Sequence, residues 1–155
     1  MSMDTKVTKT AIQEFLVQRK LAVIGVSRDT RQIANAAYLL LKKRGYCVYP
    51  VNPNAEQVEG DRCFPSISSL PEKVEGALVM LPPKKTMKVL PEITEAGIEH
   101  VWLQQQTESP EAIQFCKDQK IKVVYGEYIV MFTEPLEFPH RMHRWMKKVT
   151  GTLPI

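Results

Sequence analysis

The sequence predicts an α/β fold in which an open parallel sheet of about five strands carries helices on both faces. Three observations lead to this prediction. Short apolar runs recur along the chain without polar alternation, which is typical of parallel strands buried on both faces. Most of these runs are separated by enough residues for a crossover helix. The ends of the helical segments carry capping residues, prolines and glycines. Together these features indicate a Rossmann-like, three-layer arrangement.

The length and composition are those of one compact globular domain. Of the 155 residues, 44% are hydrophobic and 25% are charged, so a single domain over 1–155 is predicted, with its core over 21–132. The longest apolar run, 36–41, is too short to span a bilayer, and the apolar run near the N-terminus, 15–17, is too short for a secretory signal, so none is expected. The three cysteines lack the spacing of a disulfide framework or a zinc ribbon. We therefore expect a cytoplasmic protein without a membrane partner.

The first strand and the helix after it form a β-turn-α unit. An apolar run over 21–26 passes through a polar turn over 27–30 into a helix predicted over 32–44. The helix closes with basic residues and Gly45, which suit the negative end of the helix dipole and a C-cap. The first run is therefore predicted to be a central strand.

The remaining elements repeat this unit. Four more apolar runs predict strands: 46–51, 77–81, 100–103 and 121–125. Three more helices are predicted: about 10–19, introduced by a Thr10–Gln13 capping box; 84–96, closed by Gly97; and 110–119, capped by Ser109. Pro91 lies inside the second of these helices, which should be kinked or begin late. A short helical turn over 65–71, an edge strand over 128–132 and a final helix within a C-terminal segment, 138–155, complete the prediction.

The net charge of +4 lies at the C-terminal end of the chain. Residues 1–137 hold 17 basic and 17 acidic residues, and four more basic residues follow: Arg141, Arg144, Lys147 and Lys148. A basic segment could bind nucleic acid, but Trp145 and two methionines lie between these charges. This pattern favours an amphipathic helix that packs on the body of the protein, so no nucleic-acid partner is expected.

The turn after the first strand is a candidate phosphate site. Ligands of open α/β sheets bind beyond the carboxyl ends of the strands, and here Gly25 leads into a helix N-terminus, which favours anions. Ser27 would donate a hydroxyl and Arg28 a charge-assisted hydrogen bond. Alternatively, Asp29 could cap the helix together with Gln32, and the turn would then be purely structural. These residues leave both interpretations open.

A nicotinamide cofactor is disfavoured by what the sequence lacks. The glycine motif is reduced to Gly25, and no acidic residue follows the second strand to hold a ribose hydroxyl. Prolines and amides follow the strands instead: Asn52-Pro53, Leu81-Pro82-Pro83 and Gln104-Gln105-Gln106. These would suit an adenine and a long neutral arm, with basic residues nearby for phosphates: Arg28, Arg31, Lys84 and Lys85. The prolines could equally just end the strands.

Six segments in order resemble one family. They are Gly25–Asp29, Gly45–Pro53, Gly60–Pro71, Leu81–Pro83, Val101–Gln105 and Phe138–Trp145. Together they resemble the single-domain CoA-binding proteins, a family similar to the CoA-binding domain of the succinyl-CoA synthetase alpha subunit. The resemblance extends from Leu21 to Pro154.

The resemblance implies a role for each matching position. The diphosphate would be held by Gly25, Val26, Ser27 and Arg28, with Asn35 facing it from the next helix. The adenosine would lie between two walls, Val51, Asn52 and Pro53 on one side and Leu81, Pro82 and Pro83 on the other. Lys84 would contact a phosphate, and Gln104 and Gln105 would lie toward the pantetheine. The chain departs from the family pattern at three positions, with Gln106 for Gly, Tyr128 for Cys and Thr30 for Pro, and a bulky Gln106 would narrow the mouth at the thiol end.

The function predicted from these residues is binding of coenzyme A or an acyl-CoA by a small protein without chemistry of its own. No nucleophile motif is present, and His140 and His143 lack further metal ligands, so no catalytic residue and no metal site are assigned. Two alternatives remain: an NAD(P)-dependent oxidoreductase and an interaction module without a ligand. A sheet edge or the C-terminal helix could support a homodimer or a protein partner.

Overall fold

A five-stranded parallel sheet forms the centre of the computed structural model, which describes residues 9–133. The elements in chain order are α1 (Lys9–Leu16), β1 (Lys20–Ile24), α2 (Ile33–Lys43), β2 (Cys47–Val51), β3 (Gln57–Val58), β4 (Asp61–Arg62), β5 (Gly76–Val79), α3 (Pro83–Glu95), β6 (His100–Gln104), α4 (Pro110–Asp118) and β7 (Lys122–Glu127). Two short 3₁₀ turns lie at Ile67–Ser69 and Ile129–Met131.

The strand order places a topological switch point beside the first strand. The sheet runs β2-β1-β5-β6-β7, and every neighbouring pair is parallel. The chain therefore leaves β1 toward β2 on one side and returns to β5 on the other. In open α/β sheets, the connections diverge at such a point and leave a crevice beyond the carboxyl ends of the strands.

Both faces of the sheet are covered by helices, which confirms the predicted fold class. Within β1, Leu21 and Val23 pack in the cluster that contains the buried residues of α1 and α2. Ala22 and Ile24 pack on the opposite face, with the buried residues of α3 and α4. Because successive side chains of a strand point to opposite faces, a strand covered on both sides needs the continuous apolar run that the sequence contains.

Several helix ends follow the sequence signals. The Ser109 hydroxyl accepts a hydrogen bond from Ala112 N (3.1 Å) and caps α4. Gly45 follows α2 with a φ of 89°, and Gly97 follows α3 with a φ of 76°. These are left-handed conformations that glycine adopts at little cost.

Helix α3 begins earlier than predicted. It starts at Pro83 and continues through Pro91 to Glu95. Of the two alternatives, a kink or a late start, the late start is wrong. Pro83 stands in the first turn, where the missing N–H of proline has no intrahelical partner to lose.

Two other local predictions are wrong, and one element was not predicted. The segment 128–132 forms a buried 3₁₀ turn instead of an edge strand, because Ile129 N donates to Gln104 Oε1 (2.9 Å) rather than to a neighbouring strand. Helix α1 already includes Thr10, so the expected capping box at that residue does not form. The hairpin of β3 and β4 was not predicted, because strands of two residues have no measurable periodicity.

No helix within residues 9–133 is long and apolar enough to cross a membrane. The predicted C-terminal helix and its basic residues lie outside the described residues.

Candidate functional site

Two adjoining clefts open at the switch point, beyond the carboxyl ends of the strands. The larger cleft has a volume of about 650 Å³ and extends toward β2, and the smaller has about 410 Å³ and extends toward β6. Both are lined by the same central residues, Gly25, Gln32, Met80, Leu81 and Pro82. Because the clefts share this rim, an elongated ligand has room to occupy both.

Gly25 is required by the close approach of two strand ends. Its φ is 116°, and a Cβ at this position would lie 2.1 Å from the carbonyl oxygen of Met80. Met80 N also donates to Ile24 O (2.7 Å), which holds the two chains together at this point. No side chain fits between them, so the turn after β1 depends on glycine.

Asn35 holds the turn after β1 from behind. It is fully buried in α2, where its Oδ1 accepts from Ser27 N (3.0 Å) and its Nδ2 donates to Ser27 O (2.7 Å). The same Nδ2 also donates to Glu59 Oε2 (2.8 Å) on the β3–β4 hairpin. The polar atoms of Asn35 are therefore engaged within the protein and determine the conformation of the backbone at Ser27.

Asn52 and the hydroxyl of Ser27 also fix this turn. Asn52 Nδ2 donates to Val26 O (2.8 Å), and Asn52 Oδ1 accepts from Asn54 N (2.7 Å). The hydroxyl of Ser27 accepts from Asp29 N (3.1 Å). The backbone is thus held from α2, from the end of β2 and by its own side chains.

The alternative in which Asp29 and Gln32 form a capping box is wrong. The N-cap of α2 is Gln32, and no side chain among the described residues forms a capping hydrogen bond there. The carboxylate of Asp29 instead accepts from Arg31 N (3.0 Å) and Arg31 Nε (3.0 Å), and these contacts with Arg31 lower the pKa of Asp29. No carboxylate within residues 9–133 therefore caps the N-terminus of α2, whose first residues, Ile33 and Ala34, line the smaller cleft.

The larger cleft lies between two apolar walls. Val51, Asn52 and Pro53 form part of its lining at the end of β2, and Leu81 and Pro82 lie at the end of β5. Helix α3 adds two basic residues and one acidic residue to the lining: Lys85, Lys88 and Glu92. Glu92 Oε1 accepts a hydrogen bond from Ile67 N (2.8 Å).

The smaller cleft has buried amide groups at its base. Gln104 is 3% exposed, and its Oε1 accepts from Ile129 N. Within residues 9–133, neither its Nε2 nor Oε1 of Gln105 has a hydrogen-bond partner, although both atoms are buried. Gln104 and Gln105 both line this cleft. Buried polar atoms are normally paired in folded proteins, so these two are suited to meet a ligand or water.

Gln106 and Tyr128, which depart from the family pattern, also line the smaller cleft. Gln106 has a φ of 75°, a left-handed conformation that explains why glycine would suit this position. Tyr128 is buried, and burial, followed by the charge of Glu108, raises the pKa of its hydroxyl.

A half-buried carboxyl, that of Glu127, precedes Tyr128 in the chain. Burial raises the pKa of Glu127 to about 7. Its backbone oxygen accepts from Trp102 Nε1 (3.0 Å), which ties the end of β7 to the centre of β6. Glu127 is also opposite Gln104 in the register of these strands.

Most of the predicted site residues come together at the clefts. Those that line one or both are Gly25, Ser27, Val51, Asn52, Pro53, Leu81, Pro82, Pro83, Gln104 and Gln105. Four of the predicted residues are not part of either lining: Val26 and Asn35, which are buried behind the turn, and Arg28 and Lys84, which are exposed.

Sequence reasoning missed Lys88 and Met80. The spacing of Lys85 and Lys88 puts them on one face of a helix, so helical periodicity could have identified the pair. Met80 had no chemical signal of its own. Within residues 9–133, no three His, Cys, Asp or Glu side chains are grouped so that they could hold a metal ion.

In a comparison with protein families, the model described as a CoA binding domain matches residues 19–132. The chain is 33% identical over 89 residues to the ADP-forming acetate–CoA ligase II of Archaeoglobus fulgidus. It is 34% identical over 88 residues to the alpha subunit of the ADP-forming acetate–CoA ligase II of Pyrococcus furiosus. Each match covers 56% of this chain but just 13% and 19% of those proteins, respectively.

Two solved structures are similar over most of the chain. A hypothetical protein from Pyrococcus horikoshii OT3 has a TM-score of 0.76 and 28% identity, and the match covers 94% of this chain and 99% of that one. A protein from Thermus thermophilus has a TM-score of 0.69 and 29% identity, with 81% and 92% covered.

Proposed function

The chain belongs to the CoA binding domain family, and we propose that it binds coenzyme A or an acyl-CoA across the two clefts at the switch point. The diphosphate would lie at the turn after β1, the adenosine in the larger cleft, and the pantetheine arm in the smaller cleft. The observation that carries this proposal is that the two clefts meet beside the uncapped N-terminus of α2.

The diphosphate placement is supported by the electrostatics of that helix end. Free backbone N–H groups and the positive end of the helix dipole favour an anion. Because Asp29 is paired with Arg31, its carboxylate does not compete for this position. Arg28, exposed on the same turn, is available to add a positive charge.

The adenosine placement is supported by the walls of the larger cleft. Pro53 and Pro82 are rigid apolar surfaces against which a flat base can pack. The side-chain amide of Asn52 is already hydrogen-bonded to Val26 O in the turn after β1. We assign the phosphate contact on this side to Lys85 and Lys88, since Lys84 is not part of the lining. A 3′-phosphate on the ribose would gain from their charge.

The pantetheine placement is supported by the unpaired amide atoms of the smaller cleft. Pantetheine contains two amides, and each offers a carbonyl acceptor and an N–H donor. Gln104 Nε2 is a donor and Gln105 Oε1 is an acceptor, so the two atoms complement one such amide. Gln106 and Tyr128 would then lie toward the thiol end.

The role we propose is binding, buffering or delivery of a CoA species without catalysis. Of the described residues that line the two clefts, none is a histidine, cysteine or aspartate, and the candidate base Glu92 and candidate nucleophile Ser27 are hydrogen-bonded to the backbone N–H groups of Ile67 and Asp29. Asn52 stands near the end of β2, where a dinucleotide site would need an acidic residue, which argues against NAD. A cytoplasmic location and a possible homodimer also stay predictions.

Calorimetric titration tests the ligand class. The purified, nucleotide-stripped protein is titrated with CoA, acetyl-CoA, NAD and NADP in parallel. Micromolar or tighter binding of CoA or acetyl-CoA, without binding of the nicotinamide cofactors, is the expected result. Binding of NAD or NADP instead would point to hydride transfer, and binding of none of the four would favour an interaction module; either result contradicts the proposal.

A charge substitution tests the diphosphate placement. Ser27→Asp keeps an acceptor for Asp29 N but adds a negative charge where the diphosphate would lie, so CoA affinity should fall at least about tenfold. Ser27→Asn is the matched control, because it has nearly the same size without the charge. Unchanged CoA affinity in Ser27→Asp would show that the diphosphate binds elsewhere.

A further inference from the structure

The β3–β4 hairpin is tied to one face of α2 by two acidic residues. Glu59 Oε2 accepts from Asn35 Nδ2 (2.8 Å) near the start of the helix. Asp61 Oδ2 accepts from the hydroxyl of Tyr38 and from Lys42 Nζ (2.7 Å) farther along it. Asn35, Tyr38 and Lys42 are spaced to lie along one side of the helix. The hairpin therefore has two separate attachments, and Glu59 is the one that reaches the residue behind the ligand site.

The contact with Glu59 completes the hydrogen bonding of a buried amide. One face of the Asn35 amide meets Ser27, through Oδ1 to Ser27 N and Nδ2 to Ser27 O. The second hydrogen of Nδ2 goes to Glu59, whose Oε2 accepts it. An inverted amide would turn its oxygen toward two acceptors, Ser27 O and Glu59 Oε2. Glu59 thus favours the one orientation in which Asn35 can hold the N–H of Ser27.

The backbone at Glu59 is not what a glutamate prefers. Glu59 has a φ of 52° and Gly60 a φ of 80°, the left-handed pair typical of a tight hairpin turn. Asparagine, aspartate or glycine suits the first position better, because a longer side chain is disfavoured in that conformation. The turn itself does not need a glutamate, whereas the contact with Asn35 needs an acceptor oxygen on a side chain of this length.

We infer that Glu59 is a positioning residue of the ligand site, which acts through Asn35 to hold the backbone of Ser27 in the conformation that receives the diphosphate. This inference rests on the proposed function for its ligand. Glu59 itself lines neither cleft among the described residues. Its effect on affinity is therefore indirect, through the conformation of the turn after β1.

Three variants separate positioning from a general structural role. Glu59→Gly removes the contact but suits the left-handed backbone, so the unfolding midpoint should change little while the Kd for CoA rises about fivefold, as for one lost hydrogen bond. Glu59→Gln keeps an acceptor oxygen and should recover most of that affinity. Asp61→Ala removes the other attachment of the hairpin, and it should lower stability while the Kd for CoA stays within about twofold.

Hydrogen exchange provides a readout that does not depend on CoA. In the free protein, the Ser27 amide proton should exchange several-fold faster in Glu59→Gly than in wild type, and at the wild-type rate in Asp61→Ala. If the wild type binds no CoA, the proposed function fails, and exchange at Ser27 still shows whether Glu59 acts on the turn. The inference is overturned if Glu59→Gly changes neither Ser27 exchange nor CoA affinity, or if Asp61→Ala reproduces both effects.

Discussion

The turn after β1 and the turn after β6 border the same clefts, but they differ in how far their polar groups are hydrogen-bonded within the protein. At the β1 turn, both backbone groups of Ser27 and the carbonyl of Val26 are bonded to the buried Asn35 and to Asn52. At the β6 turn, buried atoms of Gln104 and Gln105 have no partner among the described residues. Oε2 of Glu108 is a third such atom. These hydrogen bonds of the β1 turn are made before a ligand binds, whereas the three atoms of the β6 turn still lack a partner within residues 9–133.

This difference indicates two ways in which one site can use its polar groups. A turn whose hydrogen bonds are already made loses little conformational entropy when a ligand binds. A turn with desolvated, unpaired groups favours a ligand that supplies the missing partners and rejects one that does not. We therefore expect the β1 turn to contribute to affinity through preorganisation and the β6 turn to contribute to selectivity.

The largest effect should come from Gly25→Ala, which breaks the β1 turn. The new Cβ would overlap the carbonyl oxygen of Met80 at 2.1 Å, and alanine disfavours a φ of 116°. We expect the free energy of unfolding to fall by more than about 4 kcal/mol, measured by urea denaturation.

Gly60→Ala is the matched control for this prediction. Gly60 also has a positive φ, of 80°, but no atom lies within 4 Å of the Cβ position. The free energy of unfolding of Gly60→Ala should fall by about 1 kcal/mol, which is the cost of a left-handed backbone conformation for a residue with a Cβ. Equal costs for the two variants would mean that the close approach to Met80 is not what requires Gly25.

Two variants that remove an amide side chain, Asn35→Ala and Gln105→Ala, test the comparison between the β1 turn and the β6 turn directly. Asn35→Ala leaves the N–H and the carbonyl of Ser27 unpaired, so the free protein should lose about 3 kcal/mol of stability. Gln105→Ala removes an atom without a partner among residues 9–133, and stability should change by less than about 0.5 kcal/mol. Urea denaturation and CoA titration are measured on both variants.

Affinity for CoA should fall in both variants, but for different reasons. Loss of affinity in Gln105→Ala without loss of stability would show that the β6 turn contributes to binding and not to folding. If Gln105→Ala destabilises the free protein as much as Asn35→Ala does, the two turns do not differ in the way described.

The smallest effect concerns Glu127, which adjoins the β6 turn. Burial raises its pKa from an ordinary value of 4.5 to about 7 in the folded state. Stability from this group is therefore fully present below about pH 4.5 and is lost as the pH rises toward 7, because the unfolded chain releases the proton first. Glu127→Gln should raise stability by about 1 kcal/mol near pH 8, allowing for solvent screening, and should have no such effect near pH 4. Thermal unfolding at both pH values checks this, and an equal change at both would contradict a titrating origin.

The parts of the fold that the sequence predicted are those with strong periodic signals. The five apolar runs are five parallel strands, and the Ser109 cap and Gly45 mark helix ends as expected. The segment 128–132 has the same apolar character as a strand, yet it folds as a 3₁₀ turn. Composition alone could not distinguish the two, because the choice depends on the buried side chain of Gln104, which is distant in sequence.

The sequence predicted most of the residues that surround the candidate site, but not the contacts that some of them make. Gly25, the residues after β2 and β5, and the glutamines after β6 do surround two joined clefts. The sequence left open whether Asp29 caps α2, and in the structure Arg31 holds its carboxylate instead, a competition between neighbouring residues that spacing does not reveal. Lys85 rather than Lys84 reaches the cleft, because the rotation of α3 on the sheet decides which side chain faces inward.

The amino-acid sequence by itself determined the order of strands and helices along the chain and the types of residue that follow each strand. These properties are local, since they follow from backbone freedom and the periodicity of apolar residues. The need for glycine at position 25 belongs to the tertiary structure, because it comes from the approach of the Met80 carbonyl oxygen to the Cβ position. The tertiary structure alone decided which polar groups are paired and which are left for a ligand. Asn35 reaches Ser27 and Glu59, whereas the amide nitrogen of Gln104 reaches no partner within residues 9–133. Pairing of this kind depends on where separate elements meet in space, and no periodicity along the chain encodes it.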